Sequence, residues 1–155
     1  MNLFANLYAL WSPPRLHDPA FGDLVFIRIP EHPECSYWEC EWSFPVTGTR
    51  FTVVIPGSEK GLDPDAREFF LTLPDRFEFI TTQCRAPLQV VWREWFETDL
   101  PSDLFSVLSL AGIGINSLDA SAVEWEVSFE TTGDKWLGIT VPFIGDQPQE
   151  ATVET

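Results

Sequence analysis

Five glutamates in two short alternating stretches are the residues of this chain best spaced for chemistry. They are Glu39, Glu41, Glu124, Glu126 and Glu130. In each stretch polar residues alternate with aromatic and aliphatic ones, which predicts a half-buried strand with its glutamates on the outward face. Carboxylates at positions i and i+2 of a strand lie about 6.5–7 Å apart. That separation is compatible with the paired carboxylates of glycoside hydrolysis, which are about 5–10 Å apart.

A catalytic use of these glutamates is the less favoured interpretation. An open, acidic strand face lacks the enclosed, mostly apolar pocket that such chemistry needs. We therefore expect no catalytic residue and no enzymatic activity, and we interpret the five glutamates as a partner-binding set. If the tryptophan-bearing faces pack on helices, all five share the open face of one sheet, where like charges repel. The alternative is an ordinary solvated face without a partner.

No other group of residues predicts a metal site, a cofactor or a nucleophile. The two histidines, His17 and His32, are not in a ligand-like spacing, and Asp63 does not open a calcium-binding loop. No serine lies in a Gly-x-Ser-x-Gly elbow. The Gly-x-Gly within residues 111–115 lacks the third glycine of a phosphate-binding loop.

The cysteines are few and odd in number, which implies no disulfide framework. They are Cys35, Cys40 and Cys84. A reducing compartment fits such a set best, so we expect a cytoplasmic protein. Cys84 falls on an apolar helical stripe, which predicts a buried core thiol and not a reactive one.

The charge of the chain is strongly negative and unevenly distributed. Twenty-four acids and nine bases give a net charge of −15, and residues 97–155 hold eleven of the acids with a single base, Lys135. Such a surface repels nucleic-acid phosphates and anionic lipids, so we expect a basic protein partner and no nucleic acid. No run reaches the roughly 18 apolar residues of a membrane-spanning helix, so no membrane association is expected.

Strand patterns flank a helical pattern in the middle of the sequence. Before the helix, strands are predicted near 23–29, 35–44 and 50–56, in an antiparallel meander. After it come a turn and strand within 104–115 and strands near 123–130 and 135–143. Clustered strands and helices indicate an α+β fold: a mostly antiparallel sheet of about six strands with a kinked helical block packed on one face.

The helical block is predicted over about residues 63–97. Asp63 followed by Pro64 is typical of an N-cap and first helical position, and apolar residues then recur every three or four positions. Pro74 and Pro87 interrupt this stripe and predict two or three helical pieces.

The chain ends are predicted to behave differently from the centre of a single domain that covers residues 1–155. Residues 1–14 form an apolar segment that fits a helix or a strand, and it either docks on the core or mediates a homodimer through its aromatic residues. Residues 145–155 are polar and predict a flexible tail. No internal repeat is visible.

The seven tryptophans allow a different function. Most of them fit a core, but an aromatic-lined pocket between sheet and helices would make this a small-molecule-binding domain.

Four features of the sequence together carry a resemblance. These are the Asp18–Leu24 stretch that opens the first strand, the tryptophan-rich second strand, the proline-started helical block and the closing hairpin within 125–139. The layout resembles small bacterial domains of unknown function that are similar to immunity proteins of polymorphic toxin systems. That resemblance implies a non-enzymatic protein that neutralises a toxin by binding it, and it transfers no individual functional residue.

Overall fold

The structure is a computed structural model that describes residues 12–119 and 121–155. Two antiparallel sheets and one long helix form the architecture, which confirms the α+β class. It differs from the expected single sheet of about six strands, because alternation along a strand shows which side chains face inward but not which strands pair. Residues 1–11 lie outside the part of the chain that the structure describes, and so does the hypothesis that this segment mediates a homodimer.

The first sheet is a meander in which each strand pairs with the next one along the chain. Most of its connections are short turns, and a longer loop with a 3₁₀ turn at Pro33–Cys35 joins β2 to β3. The inward residues of its three central strands are buried, and they alternate with half-buried or exposed ones. Its strands are β1 (Arg15–Asp18), β2 (Gly22–Ile27), β3 (Tyr37–Ser43), β4 (Arg50–Ser58) and β5 (Gly61–Leu62).

The second sheet has the order β10-β8-β7-β6, and β9 extends a hairpin from the end of β8. Buried and outward-facing residues alternate equally regularly along the strand that carries Trp125, Val127 and Phe129, all of which are buried. Its strands are β6 (Leu108–Ser117), β7 (Glu124–Thr131), β8 (Gly138–Ile144), β9 (Gln147–Pro148) and β10 (Thr152–Glu154).

The C-terminal residues are therefore not a flexible tail throughout, and the expectation for 145–155 is corrected. Strand β10 forms a ladder with β8, in which Val153 lies directly opposite Ile139. This pairing satisfies backbone groups that an edge strand would otherwise leave open to solvent. The polar side chains of the segment concealed its structure, because strand addition depends on backbone groups that every residue carries.

A single helix, α1 (Pro64–Phe96), connects the two sheets. The Asp63 carboxylate caps it by accepting hydrogen bonds from the backbone N–H groups of Asp65 at 2.8 Å and Ala66 at 3.1 Å. The helix runs without interruption, so the expected division into two or three pieces is wrong. Each internal proline removes one donor, but the stripe of buried residues along the helix continues past both of them. That stripe is Ala66, Phe70, Leu73, Phe77, Ile80, Cys84, Leu88, Val91 and Trp92.

The helix covers the inner faces of both sheets, and one hydrophobic core contains residues of all three elements. The ring centroid of Phe70 lies 6.2 Å from that of Trp42 in the first sheet. The neighbouring Phe69 ring lies 5.2 Å from that of Trp125 in the second sheet. Because α1 occupies the inner side of each sheet, the opposite sides face outward.

Candidate functional site

The outward side of the second sheet carries an unbalanced row of carboxylates. Glu124, Glu126 and Glu130 project from β7 on the side opposite the buried Trp125, as their alternation predicted. Sequence reasoning missed a fourth carboxylate. Residue Glu154 lies directly opposite Gly138, which is itself opposite Glu130, so it shares their side of the sheet. We call this surface, defined by Glu124, Glu126, Glu130 and Glu154, the acidic face.

Small residues surround the glutamates of the acidic face. Glu126 lies between Gly114 on β6 and Pro142 on β8. A methyl group added at Gly114 or at Gly112 would meet no other atom within 4 Å. The Glu126 carboxylate accepts one hydrogen bond, from the Asn116 side-chain amide at 3.1 Å. Glu126 itself is half-buried, whereas Glu124, Glu130 and Glu154 are exposed and accessible to another molecule.

No positive charge from the C-terminal part of the chain balances the acidic face. The single base of residues 97–155 is Lys135. Its ammonium lies 4.7 Å from the ring centroid of Trp95 and 3.5 Å from the Trp95 carbonyl oxygen, at the end of α1. In the described part of the chain, none of the four carboxylates takes part in an ion pair.

The other two glutamates of the predicted set, Glu39 and Glu41, lie on the first sheet. The expectation that all five share one sheet is corrected here, because the strands that bear them belong to separate sheets. Glu41 forms an ion pair with Arg50 at 3.2 Å, and Glu39 is half-buried opposite Val54. This surface has mixed charge and differs in that respect from the acidic face.

An exposed tryptophan borders the acidic face. Trp136 is 49% exposed and lies two residues before the start of β8. Its six-membered ring lies above Gly138, where an added methyl group would approach ring atom Cη2 to 3.4 Å. Large exposed aromatic residues are enriched at protein interfaces. The turn residues before Trp136 and the glycine two positions after it are the only sequence signals for this arrangement.

A cleft with a volume of about 820 Å³ lies elsewhere, where β3–β5 meet the end of β6. Its lining includes Tyr37, Val54, Ile115 and Asn116, and none of the five predicted glutamates. The buried residues between the sheets and the helix form one hydrophobic core, and this cleft lies outside it.

In residues 12–119 and 121–155, no group of three or more His, Cys, Asp or Glu side chains is placed to hold a metal ion. Burial raises the pKa of the Cys84 thiol to about 12. Burial, with the nearby Asp18 and Glu39 charges, raises the pKa of Cys40 to about 11. Both are core thiols, which confirms the prediction for Cys84, whereas Cys35 is exposed in a short 3₁₀ turn.

One buried carboxylate has a structural partner. Asp18, at the end of β1, accepts a hydrogen bond from the Arg67 Nε at 2.8 Å and others from the backbone N–H groups of Ala20 and Phe21. The bond from Arg67 holds the pKa of Asp18 below its usual value, against the opposing effect of burial. The pair joins the β1–β2 turn to α1.

A comparison with protein-family profiles, with curated proteins and with solved structures gives no match for this chain. Among the described residues, no helix combines the length and the apolar character needed to cross a bilayer. The acidic face is therefore interpreted from its own geometry and charge.

Proposed function

We propose that this chain is a non-enzymatic binding protein that attaches a basic protein partner to its acidic face. An immunity-type protein that neutralises a toxin in the cytoplasm is the concrete form of this proposal. The observation that carries it is the placement of four carboxylates on one sheet face, none of which takes part in an ion pair in the described part of the chain. Three of them follow one another along β7, and a positively charged partner would offset their mutual repulsion.

The geometry favours binding over hydrolysis. Glu124 and Glu130 are exposed on an open sheet, and the acidic face does not line the 820 Å³ cleft. Carboxylate catalysis needs an acid whose surroundings exclude water, which an open face does not provide. A row of carboxylates on such a face instead attracts a positive surface over a distance and accelerates association.

The acidic face supports this function better than the full set of five glutamates does. The Arg50 guanidinium partly neutralises Glu41, and Glu39 lies two residues from Glu41 on the same strand face. We therefore assign the main contribution to the acidic face, Glu124, Glu126, Glu130 and Glu154, and a smaller one to Glu39 and Glu41.

The test is a charge reversal measured on association kinetics. The wild-type chain first recovers its basic partner from a native lysate, and the partner then binds immobilised variants across a salt series. Replacement of Glu124 and Glu126 by lysine should reduce the association rate about tenfold or more at low salt, and less at high salt. The matched control is the double lysine replacement of Asp75 and Glu78, which are exposed on α1. Equal rates for both double variants would overturn the proposal.

A second candidate function rests on the 820 Å³ cleft, whose volume falls in the range of ligand sites. The mixed lining of Tyr37, Val54 and Asn116 would suit a small polar molecule with an apolar part. Replacement of Val54 by tryptophan should fill the cleft and abolish ligand-induced thermal stabilisation, while partner binding at the acidic face stays unchanged. A compound library that stabilises wild type and the variant equally would exclude this site.

A further inference from the structure

The Trp136 indole lies over Gly138 on the outward side of the second sheet. A methyl group built on Gly138 would lie 3.4 Å from Cη2 and 3.5 Å from Cζ2 of the indole, and 3.6 Å from Cβ of Glu154. These distances are ordinary van der Waals contacts, so they place the ring directly beside Gly138 and close to the first side-chain carbon of Glu154. With 49% of its surface exposed, the ring also remains available from outside.

Two carboxylates of the acidic face flank this indole. Gly138 is paired with Glu130 on β7 and with Glu154 on β10, which lie on either side of β8. Neighbouring strands are about 4.8 Å apart, so the two glutamates start about 10 Å from each other with the ring between them. An aromatic surface bordered by two anions is a receptor of suitable size for one organic cation.

We propose that Trp136, Glu130 and Glu154 bind an arginine side chain of the basic partner. The guanidinium would stack on the exposed indole and donate hydrogen bonds to one or both carboxylates. Stacking on an indole is favourable for a cation, and a planar guanidinium adds directed, charge-assisted bonds to carboxylates. This inference rests on the proposed function and names the partner group that the acidic face recognises.

The chain already contains one cation placed over an indole, and it belongs to the neighbouring residue. Lys135 lies over the Trp95 ring at 4.7 Å, at the end of α1. In the described part of the chain, no corresponding cation lies over Trp136. Trp136 therefore has the exposure and the charge surroundings of an interface anchor whose cation comes from another molecule. Tryptophan and arginine are the residues most enriched among such anchors.

The experiment uses two fluorescein-labelled peptides, nona-arginine and nona-lysine, and measures fluorescence anisotropy at low salt with the full chain. Wild type should bind nona-arginine more tightly than nona-lysine. The Trp136→Ala variant should lose about 3- to 30-fold of its nona-arginine affinity and most of its preference for arginine. Glu130→Gln combined with Glu154→Gln should weaken the binding of both peptides.

Matched controls separate this site from general attraction. Phe79→Ala removes an aromatic ring of similar exposure, 46%, from α1, and Glu94→Gln removes an exposed carboxylate there. Neither control should change the arginine preference. As a measurement on the intact protein, the indole N–H resonance of Trp136 should shift more than those of the other six tryptophans when nona-arginine is added.

The outcomes distinguish this inference from the proposed function. If Trp136→Ala binds both peptides like wild type while Glu124→Lys with Glu126→Lys weakens both, the arginine site is refuted and the acidic face remains. If neither variant changes binding, both are refuted. If the Trp136→Ala variant loses its folded circular-dichroism spectrum, the resonance measurement on the wild-type chain decides. A Trp136 indole signal that does not shift when nona-arginine is added then overturns the inference.

Discussion

Trp38 and Trp125 make the same hydrogen bond in the two sheets. The Trp38 indole N–H donates to the carbonyl of Ser58 at 2.8 Å, and the Trp125 indole N–H donates to the carbonyl of Gly145 at 2.7 Å. In both cases the acceptor lies 20 residues further along the chain. The Trp38 indole starts on β3 and reaches the last residue of β4, and the Trp125 indole starts on β7 and reaches the turn after β8. In each sheet the bond therefore connects a strand to the far end of the strand that follows it in the chain.

Because each indole is almost completely buried, we predict that Trp38→Phe and Trp125→Phe destabilise the chain by similar amounts, about 2–4 kcal/mol. Phenylalanine keeps most of the apolar contact but leaves a carbonyl without its donor and a small cavity. Urea unfolding followed by circular dichroism measures the loss. Trp136→Phe, at an exposed position, should change the free energy of unfolding by less than about 0.5 kcal/mol. A strong effect at only one of the two buried positions would contradict the equal roles expected of the two hydrogen bonds.

The ion pair of Asp18 and Arg67 predicts a pH dependence of stability. The folded-state pKa of Asp18 is lowered, so its carboxylate contributes stability above the unfolded-state pKa of about 3.9. That contribution is lost as the pH falls through the lower, folded-state pKa. We expect Asp18→Asn to cost about 1–2 kcal/mol at pH 7, because the guanidinium is partly exposed and the hydrogen bond to it is weakened accordingly.

The measurement is a series of urea unfolding curves of wild type and Asp18→Asn between pH 2 and pH 7. The gap in free energy should be constant above about pH 5 and should close at the acidic end. Glu41→Gln is the control, since it breaks an ion pair in which both side chains are exposed to solvent. A gap for Asp18→Asn that stays constant down to pH 2 would contradict the role assigned to the pair.

The thiols predict a simple pattern of reactivity. Burial holds the pKa values of Cys40 and Cys84 at about 11 and about 12, and their sulfur atoms lie in the core. Both factors suppress the thiolate form that reacts with disulfide reagents. At pH 8 an aromatic disulfide reagent should therefore titrate one thiol, Cys35, in the native chain and three in urea. Rapid reaction of two or more native thiols would argue against the packing of β3 or α1.

The local structure could be predicted from the sequence to a large extent, and the arrangement of the elements only in part. Alternation predicted β3 and β7, and Asp63 before Pro64 predicted the start of α1, because these signals are encoded in adjacent residues. Strand β10 was missed because its pairing depends on the free edge of β8. Pro74 and Pro87 suggested breaks, since their local cost is visible in the sequence whereas the stripe of core contacts that opposes it is not.

The candidate site could likewise be predicted from the sequence only in part. The outward direction of Glu124, Glu126 and Glu130 follows from the period of a strand, so the sequence was sufficient for it. Glu154 reaches the acidic face only through the ladder between β10 and β8. Trp136 reaches it because its ring lies over Gly138, two residues further on. The first contact joins separate parts of the chain and the second depends on the direction of one side chain, so the alternation of residues reveals neither.

The small residues beside Glu126 permit a test in which stability and binding should change in opposite directions. Gly114→Lys adds a side chain where an added methyl group has no neighbour within 4 Å, directly opposite Glu126. A strand glycine replaced by a longer residue gains about 0.5–1 kcal/mol, and an opposite-charge pair across strands adds about 0.2–1 kcal/mol. We therefore expect a higher urea midpoint together with a lower association rate for nona-arginine and for the basic partner.

Ala86→Lys, at an exposed position of α1, changes the net charge by the same amount on the opposite side of the second sheet. It should reduce the association rate far less than Gly114→Lys does. Equal reductions would mean that the peptide responds to total charge alone, and the acidic face would lose its assigned role. A more stable Gly114→Lys variant that binds poorly would show instead that the chain keeps an unfavourable row of carboxylates for its partner, since stabilising changes at a functional surface commonly reduce function.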